Sequence, residues 1–253
     1  MQNTTSDYLK SFFDIYLRYI EAELPSSLFE SSVGRNIDTL ILFQDTFIFL
    51  MTAKKDINNA KLELDALFEQ LKEAVAEYVS EAQFKPQNKL RIAKVDTAFF
   101  DEELKKLLEE YRVAYKDFLQ YLPKLKLSNE ILKRFRIHKK GNVLVQAILE
   151  FNNALAHIAN ALYRNNEDQL HNIKKAKNHL YRAILDYYKM LLRFMMPNIT
   201  ADNLVQTYQE LRLDEFLLLG EDITNKTKKG QTITNRYKEL FNECLMKIVI
   251  SRA

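Results

Sequence analysis

Two stretches of the chain carry the residue types best suited to chemistry. Gln146, Glu150, Asn153, His157, Asn160 and Arg164 follow one another at steps of four and three, and so do His171, Lys175, His179, Arg182, Asp186, Lys189 and Arg193. Residues so spaced share one face of a helix. A solvated helix face, with Asp186 paired to Arg182 or Lys189, accounts for such stripes in their simplest form. Both stripes, however, use histidine, asparagine and arginine where glutamate and lysine are usual. Histidine serves as acid or base near neutral pH and arginine clamps phosphate with paired donors, so the combination suits phosphodiester chemistry or a groove for anions or RNA. On the second stripe Lys175, His179 and Arg182 are the candidate anion contacts.

A second concentration of charge runs from Lys124 to Lys140, where seven lysines and arginines face a single acidic residue, Glu130. Lys133, Arg134, Arg136, Lys139 and Lys140 are candidate RNA contacts, with Phe135 placed among them to stack a base. The competing reading is a short helix whose Leu132 and Phe135 pack inward while the cations are solvated or pair with the acidic 101–110 segment. The chain has no glycine-rich phosphate loop, paired His-x-x-x-His, Cys-x-x-Cys or nucleophile elbow. The lone cysteine, Cys244, lies on an amphipathic stretch and reads as a small apolar core residue. No metal ligand set and no cofactor motif is expected.

Between the two stripes, the segment Arg164-Asn165-Asn166-Glu167-Asp168-Gln169-Leu170-His171 resembles the arginine, short polar gap, histidine motif of the HEPN family of helical-bundle RNases and nucleotide-associated proteins. Six residues separate arginine from histidine, the long end of the spacing that family tolerates. The resemblance extends over the helical hairpin and implies metal-independent RNA cleavage, usually across a dimer interface. By that resemblance Arg164 holds phosphate, His171 handles the proton, and the setting is a bacterial defence or toxin system. The residues alone also fit a plainer arrangement, in which Asn166 caps the second helix while Arg164 and His171 sit in solvent.

The elements that must position these residues are helices. Four glycines and four prolines among 253 residues are too few turn-makers for a many-stranded sheet, and 47% hydrophobic content with 28% charge describes a globular chain. An all-α, multi-helix bundle follows. Apolar spacing predicts helices over about 6–23, 35–55, 56–82, 99–122, 129–138, 202–219 and 235–251, the first stopping short of Pro25 and the second starting after Gly34. The organising element is a long antiparallel helical hairpin over about 142–196. Leu144, Ile148, Phe151, Leu155, Ile158 and Leu162 form one side of its seam, and Leu170, Ile173, Leu180, Ile184, Tyr187, Leu191 and Phe194 the other. Residues 83–97 lose the periodicity, which divides the chain into an N-terminal part (1–82) and a C-terminal bundle (98–253), or leaves one domain joined by a loop. The apolar run from Ile37 to Ala53 carries Asp38, Gln44 and Asp45, so it reads as a buried helix and not a membrane span. With no signal segment and one cysteine, the expectation is a cytoplasmic interaction protein acting through a protein partner, a second copy of itself, or RNA, with the HEPN-like ribonuclease as the alternative.

Overall fold

A computed structural model describes residues 4–26, 36–52, 57–82, 84–87, 89–92, 95, 100–138, 142–163, 168–219, 221–225 and 230–250. Among these residues there are nine α-helices and one two-stranded antiparallel ribbon, so the protein is an all-α, multi-helix bundle. In order they are α1 (Thr5–Ser26), α2 (Ile37–Thr52), α3 (Ile57–Glu81), α4 (Glu102–Tyr121), α5 (Asn129–Arg134), β1 (Ile137–His138), β2 (Val143–Leu144), α6 (Val145–Tyr163), α7 (Asp168–Met195), α8 (Asp202–Leu217) and α9 (Ile233–Ile250). No helix among the described residues is long and apolar enough to cross a membrane.

The chain forms two compact units, each built from two stretches of sequence: residues 1–109 with 151–176, and residues 110–150 with 177–253. The first unit is held by aromatic packing. Phe12 and Tyr16 of α1 meet Phe43 of α2 edge to face with ring centroids 5.8 and 5.1 Å apart, and Phe47 packs on Phe12, Phe13 and Phe151. Such geometry suits the ring quadrupoles. Several polar atoms inside this core are answered: the Tyr16 hydroxyl donates to Asn152 Oδ1 at 2.9 Å, and Glu23 accepts from Tyr78 and Asn36. Residues Thr4 and Asp7 cap α1 reciprocally, each accepting the other's backbone N–H. The helix runs on through Pro25 to Ser26, past the expected stop at Glu23. Ala22 and Ser26 are buried there, and a proline in the last turn forfeits only one backbone bond.

In the second unit Tyr111, Tyr115, Phe118 and Tyr187 cluster, and Phe241 of α9 packs against Tyr121 and Tyr188. Cys244 is fully buried beside them, and that burial pushes its thiol up to about 11. The basic helix is shorter than expected. It ends at Arg134 because Arg136 takes a left-handed backbone conformation (φ 52°), after which Ile137 and His138 pair with Leu144 and Val143 as a ribbon.

Residues of α6 and α7 pair antiparallel. His157 meets Asn172 in the first unit and Glu150 meets His179 in the second, so seven residues forward on α6 match seven back on α7. The α6 seam is buried as expected, and so are Ile173, Leu180, Ile184, Tyr187, Leu191 and Phe194 of α7. Leu170 is the exception at 83% exposed. The buried line passes through Ala176 and Ala183 as well, so its centre lies roughly a quarter turn away from Leu170 at 100° per residue. Leu180→Asp or Ile184→Asp is therefore expected to unfold the protein, at a cost of about 4 kcal/mol or more against a total stability of roughly 5–15. Leu170→Asp should shift the stability by no more than about 0.5 kcal/mol. Thermal melts by circular dichroism read both; a cooperative, near-native melt for Leu180→Asp would mean the buried face is misassigned.

Candidate functional site

The basic segment is an exposed concentration of charge, almost all of one sign. Ser128 accepts the Ile131 N–H at 3.3 Å and starts α5, whose six residues include none that is buried. Lys124, Lys126, Lys133, Arg134 and Arg136 are all exposed, and none pairs with a carboxylate among the described residues. For these five cations the solvated alternative is the one the structure shows. Phe135 does pack inward, meeting Phe194 of α7 edge to face at 5.1 Å and 85°. Its ring also carries two guanidinium groups, Arg193 at 5.4 Å and Arg134 at 6.0 Å from the centroid. That engagement leaves the cations, and not the phenyl ring, as the surface offered to a ligand. Lys124 rests over the Tyr121 ring at 4.5 Å. Lys139 and Lys140 lie outside the described residues.

The two polar stripes are not uniformly wet. His171 and Lys175, in the first unit, are exposed on the first two turns of α7. Arg164 lies outside the described residues, as does Asn166. His157 is half-buried, its Nδ1 3.0 Å from Asn172 Oδ1. In the second unit the stripe turns inward. His179 Nδ1 stands 2.6 Å from Glu150 Oε2, with side chains only 18% and 14% exposed, so His179 is tied to α6 and does not project as an anion contact. Arg182 remains exposed.

Two turns beyond Arg182, Lys189 pairs with Glu215 of α8 and not with Asp186. Glu215 also accepts from Arg212 at 2.5 Å and from the Tyr237 hydroxyl at 2.6 Å. Burial alone would raise the Glu215 carboxyl; the donors from Lys189 and Tyr237 outweigh it and hold it below its usual value. Asp186 has no such donors. Burial pushes its carboxyl up to about 6; Glu150 and Glu215 add to the rise, while Lys189 and Arg182 oppose it. Sequence spacing found Glu150, His179, Asp186 and Lys189 on their helix faces but gave no sign of Glu215, Arg212 or Tyr237, because α8 and α9 meet the stripe only in three dimensions.

A carboxyl with a folded value near 6 and an unfolded one near 3.9 binds more protons when folded, so its ionisation costs stability as pH rises through that window. Asp186→Asn should accordingly stabilise the protein at pH 8, by up to about 3 kcal/mol, and have little effect at pH 4, where the native carboxyl is already protonated. Denaturant titrations of both proteins at the two pH values test this. Equal midpoints at pH 8 would show that Lys189 and Arg182 fully offset the burial.

No known family model matches the chain, and neither the curated proteins nor the solved structures compared with it yield a match, so function must be argued from the site itself.

Proposed function

We propose that this protein is a helical-bundle interaction protein that binds single-stranded RNA through the basic face of its second unit. One observation carries the reading: Lys124, Lys126, Lys133, Arg134 and Arg136 stand exposed within one short segment with no carboxylate partner among the described residues. A solvated helix normally intersperses both signs of charge, and unpaired cations at this density repel one another unless an anion joins them. The net charge of +3 makes attraction local, so the polyanion is drawn to this face and not to the whole surface. Arginine planes also stack on splayed bases, which single-stranded RNA presents and a duplex does not. Recognition is then mainly of the phosphate backbone and indifferent to sequence. Changing Lys133, Arg134 and Arg136 together to Ala should weaken binding to many RNA sequences alike and reduce the slope of log affinity against log salt by about 2, at about 0.7 per phosphate contact on single strands. Fluorescence anisotropy across a salt series gives both quantities; an unaltered slope in the triple variant would sink the assignment.

A second reading, metal-independent RNA cleavage of the HEPN type, is favoured by the exposure of His171 on the first turn of α7, immediately after the Arg164-containing connection. A histidine acid or base with an arginine on the phosphate can break the backbone through the 2′-hydroxyl. In the presence of chelator, His171→Ala should abolish cleavage without moving the melting temperature. His179→Ala should keep cleavage but lower the melting temperature, because it leaves half-buried Glu150 without its imidazole. No cleavage by the native protein, measured together with its oligomeric state, would leave RNA binding alone.

A further inference from the structure

Helix α8 inverts the usual arrangement of polar and apolar residues over its last two turns. Leu204 and Leu211 are its buried residues, and the exposed face opposite them begins in the ordinary way, with Asp202, Gln206, Gln209 and Glu210. Beyond that point the pattern reverses. Arg212, Asp214 and Glu215 are engaged in ion pairs within the second unit, where Glu215 holds Lys189 and Arg212 while Asp214 holds Arg236. Leu213, Phe216 and Leu217, which continue the exposed face at steps of three and four, stand in solvent. Leu219 extends the row by one more turn, its N–H on the Phe216 carbonyl at 3.2 Å. All four side chains are between 58% and 71% exposed.

A single exposed leucine is ordinary, but a contiguous apolar row marks a surface that something covers. At these exposures the four side chains present on the order of 500 Å² of apolar surface, toward the upper end of the roughly 300–600 Å² found for the largest patch on a monomer. The charges beside the row are matched within the same unit, so an identical face laid against it meets no unmatched like charge from Arg212, Asp214 or Glu215. A surface that is apolar and locally neutral is complementary to itself, which is the condition for contact between two copies about a twofold axis. Two such faces together remove about 1,000 Å² from water, the area a specific interface needs. We propose that this face of α8 is the contact surface of a homodimer, with Leu213, Phe216, Leu217 and Leu219 of one protomer packed on the same four residues of its partner. The interface does not rest on the RNA-binding reading.

Sedimentation velocity of the full chain from about 1 to 100 μM tests the proposal, because an interface at the small end of the specific range gives a reversible dimer of micromolar affinity. Association through apolar burial should persist in about 0.5 M salt, where contacts between exposed charges are screened. Phe216→Glu and Leu217→Glu each place a carboxylate in the contact and should raise the dimer dissociation constant at least tenfold, to a first approximation of about 1.4 kcal/mol per factor of ten. Both positions are exposed, so the far-UV circular dichroism spectrum should not change. Leu62→Glu is the control: this leucine of α3, in the first unit, is 86% exposed, and the variant should dimerise as the native chain does. A native chain that stays monomeric across this range, whether free or captured by phosphatidylcholine vesicles, would overturn the proposal. So would a dimer that survives both α8 variants, dissolves in salt, or is lost equally in the control.

Discussion

Leu180, Ala183 and Ile184 are buried on the apolar side of α7, and an apolar stripe of this length needs neighbouring helices to cover it. Small side chains at positions 176 and 183, both fully buried, permit close approach of a neighbouring helix, and close approach fixes level as well as rotation. Once the level is fixed, Glu150 must stand opposite His179 and His157 opposite Asn172. Which parts of the polar stripe are wet then follows from what else packs nearby. In the second unit α8 brings Glu215 onto Lys189, so the middle of the stripe is enclosed and its carboxylates compete for a limited number of donors. Glu215 wins three donors; Asp186 is left with the burial.

Charge in the second unit is thereby sorted by depth. Half-buried residues form pairs and triads whose members compensate one another: His179 with Glu150, Lys189 and Arg212 with Glu215, Arg236 with Asp214. Exposed residues of the 124–136 segment carry one sign almost alone. Enclosed ion pairs confer specificity of packing more than net stability, since desolvation offsets much of their attraction. Surface cations without a carboxylate, even where Lys124 and Arg134 lie on aromatic rings, keep their charge available to a partner.

Helix existence was legible in the sequence because the apolar spacing of α3, α6, α7 and α9 persists over many turns. Boundaries were less so. Pro25 obeys its local preference only weakly when the residues around it are buried, and Arg136 ends α5 through a backbone conformation that no side-chain pattern announces. Leu170 illustrates the limit of counting apolar residues by threes and fours: the sequence treats leucine as a better seam residue than alanine, yet Ala176 and Ala183 are fully buried and Leu170 is exposed. For the candidate sites, the basic run was visible as composition, but its lack of carboxylate partners is a tertiary fact. The Lys189–Glu215 pair was beyond reach of any pattern, since its members lie 26 residues apart.

The order in which the two units draw on the chain bears on how the protein is made. Residues 1–109 include most of the first unit, but its remaining stretch, 151–176, is synthesised only after 41 intervening residues that belong to the second. While the ribosome translates 110–150, Phe47 waits for Phe151 and the Tyr16 hydroxyl waits for Asn152. At ordinary rates of about 5–20 residues per second that is an interval of a few seconds, long compared with hydrophobic collapse. A ribosome stalled between the two stretches would therefore present an aromatic core lacking one of its walls.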